Sequence, residues 1–139
     1  MKVELNRVDD AFHFQAKGAS EIVVNIDAAE AIGGKNQGAR PMELLLIGLG
    51  GCTSIDVILI LKKQRQALED IKLVIEGERE KIEGTEMSPF RNINIHFILK
   101  GDLDAKKVEK AIELSMEKYC SATAQLSCSA QITHTYELV

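Results

Sequence analysis

Cysteine and histidine are scarce in this chain of 139 residues, and basic residues are slightly outnumbered by acidic ones. Cysteine occurs three times, an odd number, and the wide spacing does not indicate a framework of disulfides. No two cysteines lie close together beside a histidine, so the usual spacing of zinc ligands is missing. The residues concerned are Cys52, Cys120, Cys128, His13, His96 and His134. We therefore expect neither structural disulfides nor a metal or cofactor, which leaves inert or catalytic thiols.

The charge balance is slightly acidic, with 17 lysines and arginines against 21 acidic residues and a formal net charge of -4. A protein that binds the nucleic-acid backbone normally carries a basic patch, so we expect no nucleic-acid partner. Residues 1–11 lack the pattern of a secretory leader, and we expect a cytoplasmic protein. The 45% hydrophobic and 27% charged content suits one globular domain spanning residues 1–139.

The single long apolar run covers residues 42–61, which is enough to span a bilayer. Asp56 lies well inside the run, where a carboxylate would cost roughly 2.5 to 3.5 kcal/mol to insert, so we expect no membrane span. The alternative is a helix over 41–64 that begins at Pro41 and is covered by protein on every side. Such a helix would be about 36 Å long. We therefore expect a second subunit to help cover it, in a homodimer.

Short β-like runs precede this helix. Residues 2–7, 11–17 and 21–27 favour strands and are separated by turn residues, which predicts a three-stranded meander. Residues 28–40 are rich in glycine and predict an exposed loop that leads into the helix.

The residues after the helix alternate between strand and helix patterns. Apolar and polar side chains alternate over 71–75 and more strictly over 93–99, which predicts two strands, and again over 132–138. Asp104 is placed to cap a second helix, whose apolar positions follow the 3.6-residue period and which ends near Cys120. The predicted order is β-β-β-α-β-β-α-β, an α+β fold with a long buried central helix.

Two stretches carry a resemblance to a known family. "RPMELLLIGLGGCTSIDV" (40–57) and "EKYCSATAQLS" (117–127) are similar to the two cysteine motifs of the OsmC/Ohr family of thiol-dependent organic hydroperoxide reductases. The resemblance implies an OsmC-like intertwined dimer and a role in stress response. It implies that Cys52 reduces an organic hydroperoxide, that Cys120 resolves the product as a disulfide, and that a dithiol reductant of unknown identity recycles the pair.

The residue types suit that chemistry. Only a thiolate attacks an O–O bond well, so Cys52 needs a nearby cation. Arg40 is the candidate, although a lone arginine before a proline is more often a solvated loop residue. Gly50 and Gly51 weaken the helix by about 1 kcal/mol each relative to alanine, which predicts a close approach of backbone or ligand. Four apolar residues could form a cleft for an organic peroxide or simply pack in the core: Leu46, Leu49, Ile55 and Leu59.

The sequence also departs from the family pattern. The family's peroxidases usually carry glutamate directly after the proline, where Met42 stands here, and the acid is Glu43, which faces another side of the helix. Glu43 therefore stays only a candidate partner for the arginine. Asp56 lies one turn beyond Cys52, and its charge opposes a thiolate there. The proline that usually follows the second cysteine is replaced by Ser121.

The departures leave more than one function open. Cys128 has no counterpart in the family pattern and is interpreted as structural, and His134 as a core histidine. The first function is a thiol peroxidase acting on organic hydroperoxides. The alternative is a non-catalytic or weakly reactive OsmC-like module that binds a small apolar ligand in the same cleft. A dimeric protein with inert cysteines is the third interpretation, and it leaves both cysteine motifs unexplained.

Overall fold

A computed structural model describes all 139 residues and divides them into two compact units, Met1–Leu45 and Leu46–Val139. The first unit contains an antiparallel sheet in the order β1 (Glu4–Arg7), β2 (Phe14–Lys17) and β3 (Val24–Ile26). The meander is confirmed, but each strand is shorter than the sequence predicted. One reason is Asp9, whose carboxylate accepts hydrogen bonds from two backbone N–H groups of the β1–β2 connection.

Asp27 organises the loop that follows β3. This residue is 2% exposed, and its carboxylate accepts hydrogen bonds from the backbone N–H groups of Ala28, Lys35 and Gln37. These bonds, led by the one from Gln37, hold the pKa of the Asp27 carboxyl below its usual value even though burial acts in the opposite direction. One buried carboxylate therefore satisfies three donors of a loop that has almost no regular structure.

The long helix α1 runs over Pro41–Lys63, close to the predicted 41–64. Its buried residues form one stripe, in which the adjacent Leu49 and Gly50 are followed at intervals of three to four positions by Thr53, Val57 and Leu61. Other apolar side chains, including Ile47 and Ile55, are exposed in the single chain. Only 28% of its most apolar window is buried, and by length and composition α1 could also cross a membrane. The chain itself thus covers one face of a helix that has no polar face.

The second unit contains a three-stranded sheet in the order β4 (Ala67–Arg79), β5 (Phe90–Asp102) and β6 (Gln131–Leu138). β4 and β5 form an antiparallel hairpin, and β6 pairs with β5 in parallel. The alternation predicted over 93–99 is confirmed, because every second side chain of β5 is buried. Core side chains come from β5, α1 and the following helix: Ile93, Ile95, Phe97, Leu99, Leu49, Val57, Leu61, Val108, Ala111 and Ile112.

A crossover joins the parallel strands β5 and β6. It begins with α2 (Ala105–Leu114), where the Asp104 side chain accepts a hydrogen bond from the N–H of Lys107, as the predicted cap requires. A wider π-helical turn at Ser115–Tyr119 continues α2, and a short helix α3 (Ser121–Leu126) follows. The helical stretch thus reaches the region of residue 120 as predicted, but neither the π turn nor α3 was predicted.

Replacing Asp27 by asparagine should lower the stability of the fold at neutral pH, because the variant loses the charge that three backbone donors stabilise. The folded-state pKa lies below the unfolded value near 3.8, so the stabilisation is present above that value and is lost as the pH falls through the folded pKa. We expect the difference in melting temperature between wild type and Asp27→Asn to shrink as the pH is lowered below about 4.

Thermal unfolding followed by circular dichroism measures this difference. Asp10→Asn is the matched control, because Asp10 is an exposed carboxylate whose ion pair with Lys35 lies on the surface. A melting-temperature difference for Asp27→Asn that stays constant with pH would contradict the proposed role of the charge.

Candidate functional site

Two cysteine thiols of the second unit lie side by side. Cys52 is half-buried in the middle of α1, and Cys120 is 4% exposed at the start of α3. Both are reduced, and their Sγ atoms lie within 4.8 Å of each other. The structure therefore brings together the two residues that the resemblance paired, although they are far apart in the sequence.

The π turn fixes the position of Cys120. The N–H of Cys120 donates to the carbonyl oxygen of Ser115 at 2.8 Å, and this bond spans five residues where an α-helix spans four. The backbone of Cys120 is then extended, and the residue becomes the N-cap of α3, with its Sγ accepting a hydrogen bond from the N–H of Thr123 at 3.3 Å. The thiol is thus held from both sides of the break between the π turn and α3.

Burial raises the pKa of the Cys120 thiol, and the adjacent Cys52 thiol acts in the same direction. The hydrogen bond from Thr123 opposes this effect without cancelling it. Cys120 is therefore protonated at neutral pH, which suits a thiol that waits to react with a modified partner better than one that attacks first.

Asp56 completes a cluster with the two thiols. It follows Cys52 by one helical turn, so both side chains leave the same face of α1. A carboxylate oxygen of Asp56 and both sulfurs all lie within 4.8 Å of one another. The fully buried Ser115 hydroxyl donates to Asp56 Oδ2 at 3.1 Å. No lysine, arginine or histidine forms an ion pair with this carboxylate.

Arg40 and Glu43 belong to the first unit, where they contact each other through the backbone. The Glu43 carboxylate accepts a hydrogen bond from the N–H of Arg40 at 2.9 Å, as in one half of a capping box at the start of a helix. The Arg40 guanidinium donates to the carbonyl oxygen of Gly38 and to the side-chain oxygen of Asn36. Both residues thus have a local structural role, and their part in the chemistry stays a prediction.

The two glycines before Cys52 differ in their surroundings. A Cβ added to Gly50 would lie 2.6 Å from the Cδ1 of Ile75, so its close neighbour is the end of a side chain, and the predicted approach of backbone or ligand stays a prediction. A Cβ added to Gly51 would have no atom within 4 Å. A side chain at position 50 would therefore have to displace the end of Ile75, whereas nothing within the chain requires glycine at Gly51.

The four apolar residues proposed as a cleft wall lie in different environments. Leu49 is fully buried, Leu46 is half-buried, and Ile55 and Leu59 are exposed. A groove of about 280 Å³ opens beside Asp56, and Leu59 is the only one of the four that lines it. The other residues of the groove are Ile60, Lys63, Gln64, Leu114 and Tyr119. Four of its seven lining residues are aliphatic or aromatic, and three are polar or charged.

The remaining candidates lie outside the cluster. Cys128 is exposed, and its thiol donates to the carbonyl oxygen of Ala124 at 3.5 Å. His134 is half-buried on the inner face of β6. Ser115 was not among the predicted site residues, and Asp56 was predicted only to oppose a thiolate at Cys52. The spacing of Cys52 and Asp56, four residues apart on one helix, was the available signal.

Comparison with known proteins places this geometry in a family. Residues 34–135 match the family described as OsmC-like protein. Protein YhfA of Escherichia coli (strain K12) is 44% identical over 102 residues, which cover 71% of this chain and 72% of YhfA. A hypothetical protein from Aquifex aeolicus VF5 superposes with a TM-score of 0.80 at 32% identity, covering 99% of this chain and 96% of that one.

The fold is also that of a hydroperoxide resistance protein. The organic hydroperoxide resistance protein OhrB of Bacillus subtilis superposes with a TM-score of 0.67 at 18% identity, covering 98% of this chain and 96% of that one. The resemblance noted in the two cysteine motifs is thus confirmed over most of the chain. This chain belongs to the OsmC-like family.

Proposed function

We propose that this protein is a thiol-dependent peroxidase that reduces organic hydroperoxides. The observation that carries the proposal is the pair of reduced thiols, Cys52 and Cys120, with Sγ atoms within 4.8 Å. Its place in a family that includes organic hydroperoxide resistance proteins supports the same reaction. An inert pair of core cysteines would not need the π turn and the cap that hold Cys120 beside α1.

In the first step the thiolate of Cys52 attacks the O–O bond of the hydroperoxide. The sulfur takes one oxygen and becomes a sulfenic acid, and the other oxygen leaves with the organic group and takes a proton to form the alcohol. Cys52 is the attacking residue in this proposal because it is more exposed than Cys120, and because its partner is held protonated by burial.

In the second step Cys120 attacks the sulfenic sulfur of Cys52. The product is a disulfide, and the hydroxyl group leaves as water after taking a proton. Asp56 is placed to accept the proton of the Cys120 thiol, directly or through one water, because its carboxylate lies within 4.8 Å and is oriented by Ser115. A dithiol reductant then returns both cysteines to the thiol form by exchange.

Arg40 is the candidate in this proposal for the cation that favours the Cys52 thiolate, and the Glu43 carboxylate accepts a hydrogen bond from the Arg40 N–H. A cation has to come from outside the cluster of Cys52, Asp56 and Cys120, because none of these three residues is basic and the Asp56 carboxylate forms no ion pair. Asp56 makes this need stronger, since a carboxylate beside the sulfur disfavours a second negative charge.

We also propose a homodimer. The exposed apolar face of α1 supports it, because Ile47, Ile55 and Leu59 are 58%, 60% and 51% exposed on a helix that has no polar face. A soluble protein rarely leaves so many neighbouring apolar side chains in water. A second copy of the chain would cover them.

A second candidate function is the binding of a small apolar ligand without turnover. The groove of about 280 Å³ beside Asp56 favours it, because aliphatic side chains and Tyr119 form most of its lining. The two candidates differ in one property, which is whether a hydroperoxide is consumed through Cys52.

The first test is the disulfide itself. Mild oxidation of the purified protein should give a Cys52–Cys120 bridge, which requires Cα atoms roughly 4.4 to 6.8 Å apart. Mass spectrometry of unreduced peptides identifies the bridge. Cys128→Ser is the matched control and should give the same product, because Cys128 is exposed and lies outside the cluster. A bridge that contains Cys128 would contradict the assignment of Cys120.

The second test is turnover of cumene hydroperoxide with a dithiol reductant. The wild type should consume it at a modest rate and faster than hydrogen peroxide, and Cys52→Ser should abolish consumption. Arg40→Ala should slow the reaction on the order of tenfold, the effect of about 1.4 kcal/mol of lost charge stabilisation. Cys120→Ser should make Cys52 prone to overoxidation, because the sulfenic acid loses its partner.

The turnover test has two further readouts, which are the pH dependence of disulfide formation and the activity of a control variant. Because the pKa of Cys120 is raised, resolution should become faster as the pH rises, and overoxidation in the wild type should be greater at lower pH. Cys128→Ser should behave like the wild type. If the wild type consumes the peroxide no faster than Cys52→Ser, the peroxidase function is wrong and ligand binding replaces it.

The third test is the oligomeric state. Sedimentation at micromolar concentration should give a dimer, and Ile55→Glu should weaken it, because the substitution places a charge in the apolar face of α1. Met87→Glu is the matched control on the exposed connection between β4 and β5 and should leave the dimer unchanged. A wild type that is a folded monomer would refute the dimer.

A further inference from the structure

We propose that Cys52, Asp56 and Cys120 form a binding site for Zn²⁺ in the reduced protein. Their three donor atoms lie within 4.8 Å of one another, and they come from two separate elements, α1 and the break before α3. The inference needs only reduced thiols, so it does not rest on the peroxidase reaction.

The chemistry of the three donor atoms, two sulfurs and one carboxylate oxygen, determines which metal ions the site prefers. Thiolate ligands favour zinc and other thiophilic ions, whereas magnesium and calcium bind mainly to oxygen. Two thiolates and one carboxylate would give three protein ligands, and a tetrahedral ion then keeps one position for water. That arrangement has the open position of a catalytic zinc site and not the closed shell of a structural one.

The geometry requires little movement. Zinc bound to two sulfurs at about 2.3 Å in a tetrahedron places them about 3.8 Å apart. The present sulfur atoms lie within 4.8 Å, so the pair has to close by about 1 Å at most. Cys52 and Asp56 are four residues apart on α1, the same spacing by which two histidines of one helix bind zinc in H-E-x-x-H sites.

The surroundings orient the ligands and lack a competing cation. Ser115 donates to Oδ2 of Asp56, which fixes the carboxylate and leaves its other oxygen for a metal, in the manner of the groups that support metal ligands elsewhere. The N–H of Thr123 fixes Sγ of Cys120. The Asp56 carboxylate forms no ion pair with a basic side chain, so no such pair has to break before a divalent cation binds.

Metal binding and oxidation then compete for the same sulfurs. Zn²⁺ displaces one proton from each thiol, and no electrons are transferred. Oxidation of the pair to a disulfide removes two of the three ligands, so the oxidised protein should release the ion. Conversely, bound zinc should protect Cys52 and Cys120 from oxidation.

Titration of the reduced protein with Co²⁺, followed by displacement with Zn²⁺, tests the site. We expect one ion per chain, the visible bands of tetrahedral cobalt and charge-transfer absorption from two thiolates. Cys52→Ser and Cys120→Ser should each remove about half of that absorption. Competition with a chromophoric chelator should show zinc affinity weakened at least about tenfold by Asp56→Asn and about tenfold by Ser115→Ala.

Two controls separate the possible outcomes. Cys128→Ser should bind both ions like the wild type, and the disulfide form should bind neither. Unchanged zinc affinity in Asp56→Asn, cobalt spectra without thiolate bands, or binding retained by the disulfide form would each overturn the proposal. The titration contains no peroxide, and the peroxidase assay is run with excess chelator, so either function can fail without the other.

Discussion

The parallel pairing of β6 with β5 is the constraint on which the site depends. Parallel neighbours cannot be joined by a tight turn, so the chain has to return along the sheet through a crossover before β6 begins. That crossover is α2, the π turn and α3, and Cys120 lies at the junction of the last two. The pair of sulfurs thus follows from the topology of the second sheet together with one irregular turn.

The π turn places the reactive residue of the crossover, Cys120. Ser115 continues α2, with its N–H bonded to the carbonyl oxygens of Ala111 and Ile112, and its hydroxyl contacts Asp56. The wider turn that follows and the break after it place Cys120 against Cys52. A regular helix continued through residue 120 would rotate the Cys120 side chain away from this position. The irregular segment therefore coincides with the candidate site, as π-helical insertions often do.

The helices and strands with a regular apolar pattern could be predicted from the sequence. A helix or strand that buries one face has to repeat its apolar residues at a fixed interval. The alternation over 93–99, the start of a helix at Pro41 and the cap at Asp104 all correspond to observed elements. The pairing of Cys52 with Cys120 came from resemblance to a family motif, since no local pattern joins residues so far apart. The family itself was correctly identified on that basis.

The parts that could not be predicted depend on single contacts. α3 has only six residues, too few to establish a helical period, and the π turn has no period of its own. The buried carboxylate of Asp27 stabilises a loop through backbone donors, which leave no mark in the sequence. Glu43 shows the converse, since a residue proposed for catalysis is seen to cap a helix.

Whatever covers the exposed face of α1 also changes the chemistry of the cluster, because it lowers the dielectric constant around the cluster. Ile55 and Leu59 flank Asp56 on α1 and are exposed in the single chain, so whatever covers them also removes water from the neighbourhood of Asp56. Removal of water strengthens every charge interaction there and raises the cost of a carboxylate beside a thiolate. A buried cluster of Cys52, Asp56 and Cys120 therefore needs positive charge more than an open one does. An arginine would meet that need for peroxide reduction, and a zinc ion would meet it in the resting, reduced state.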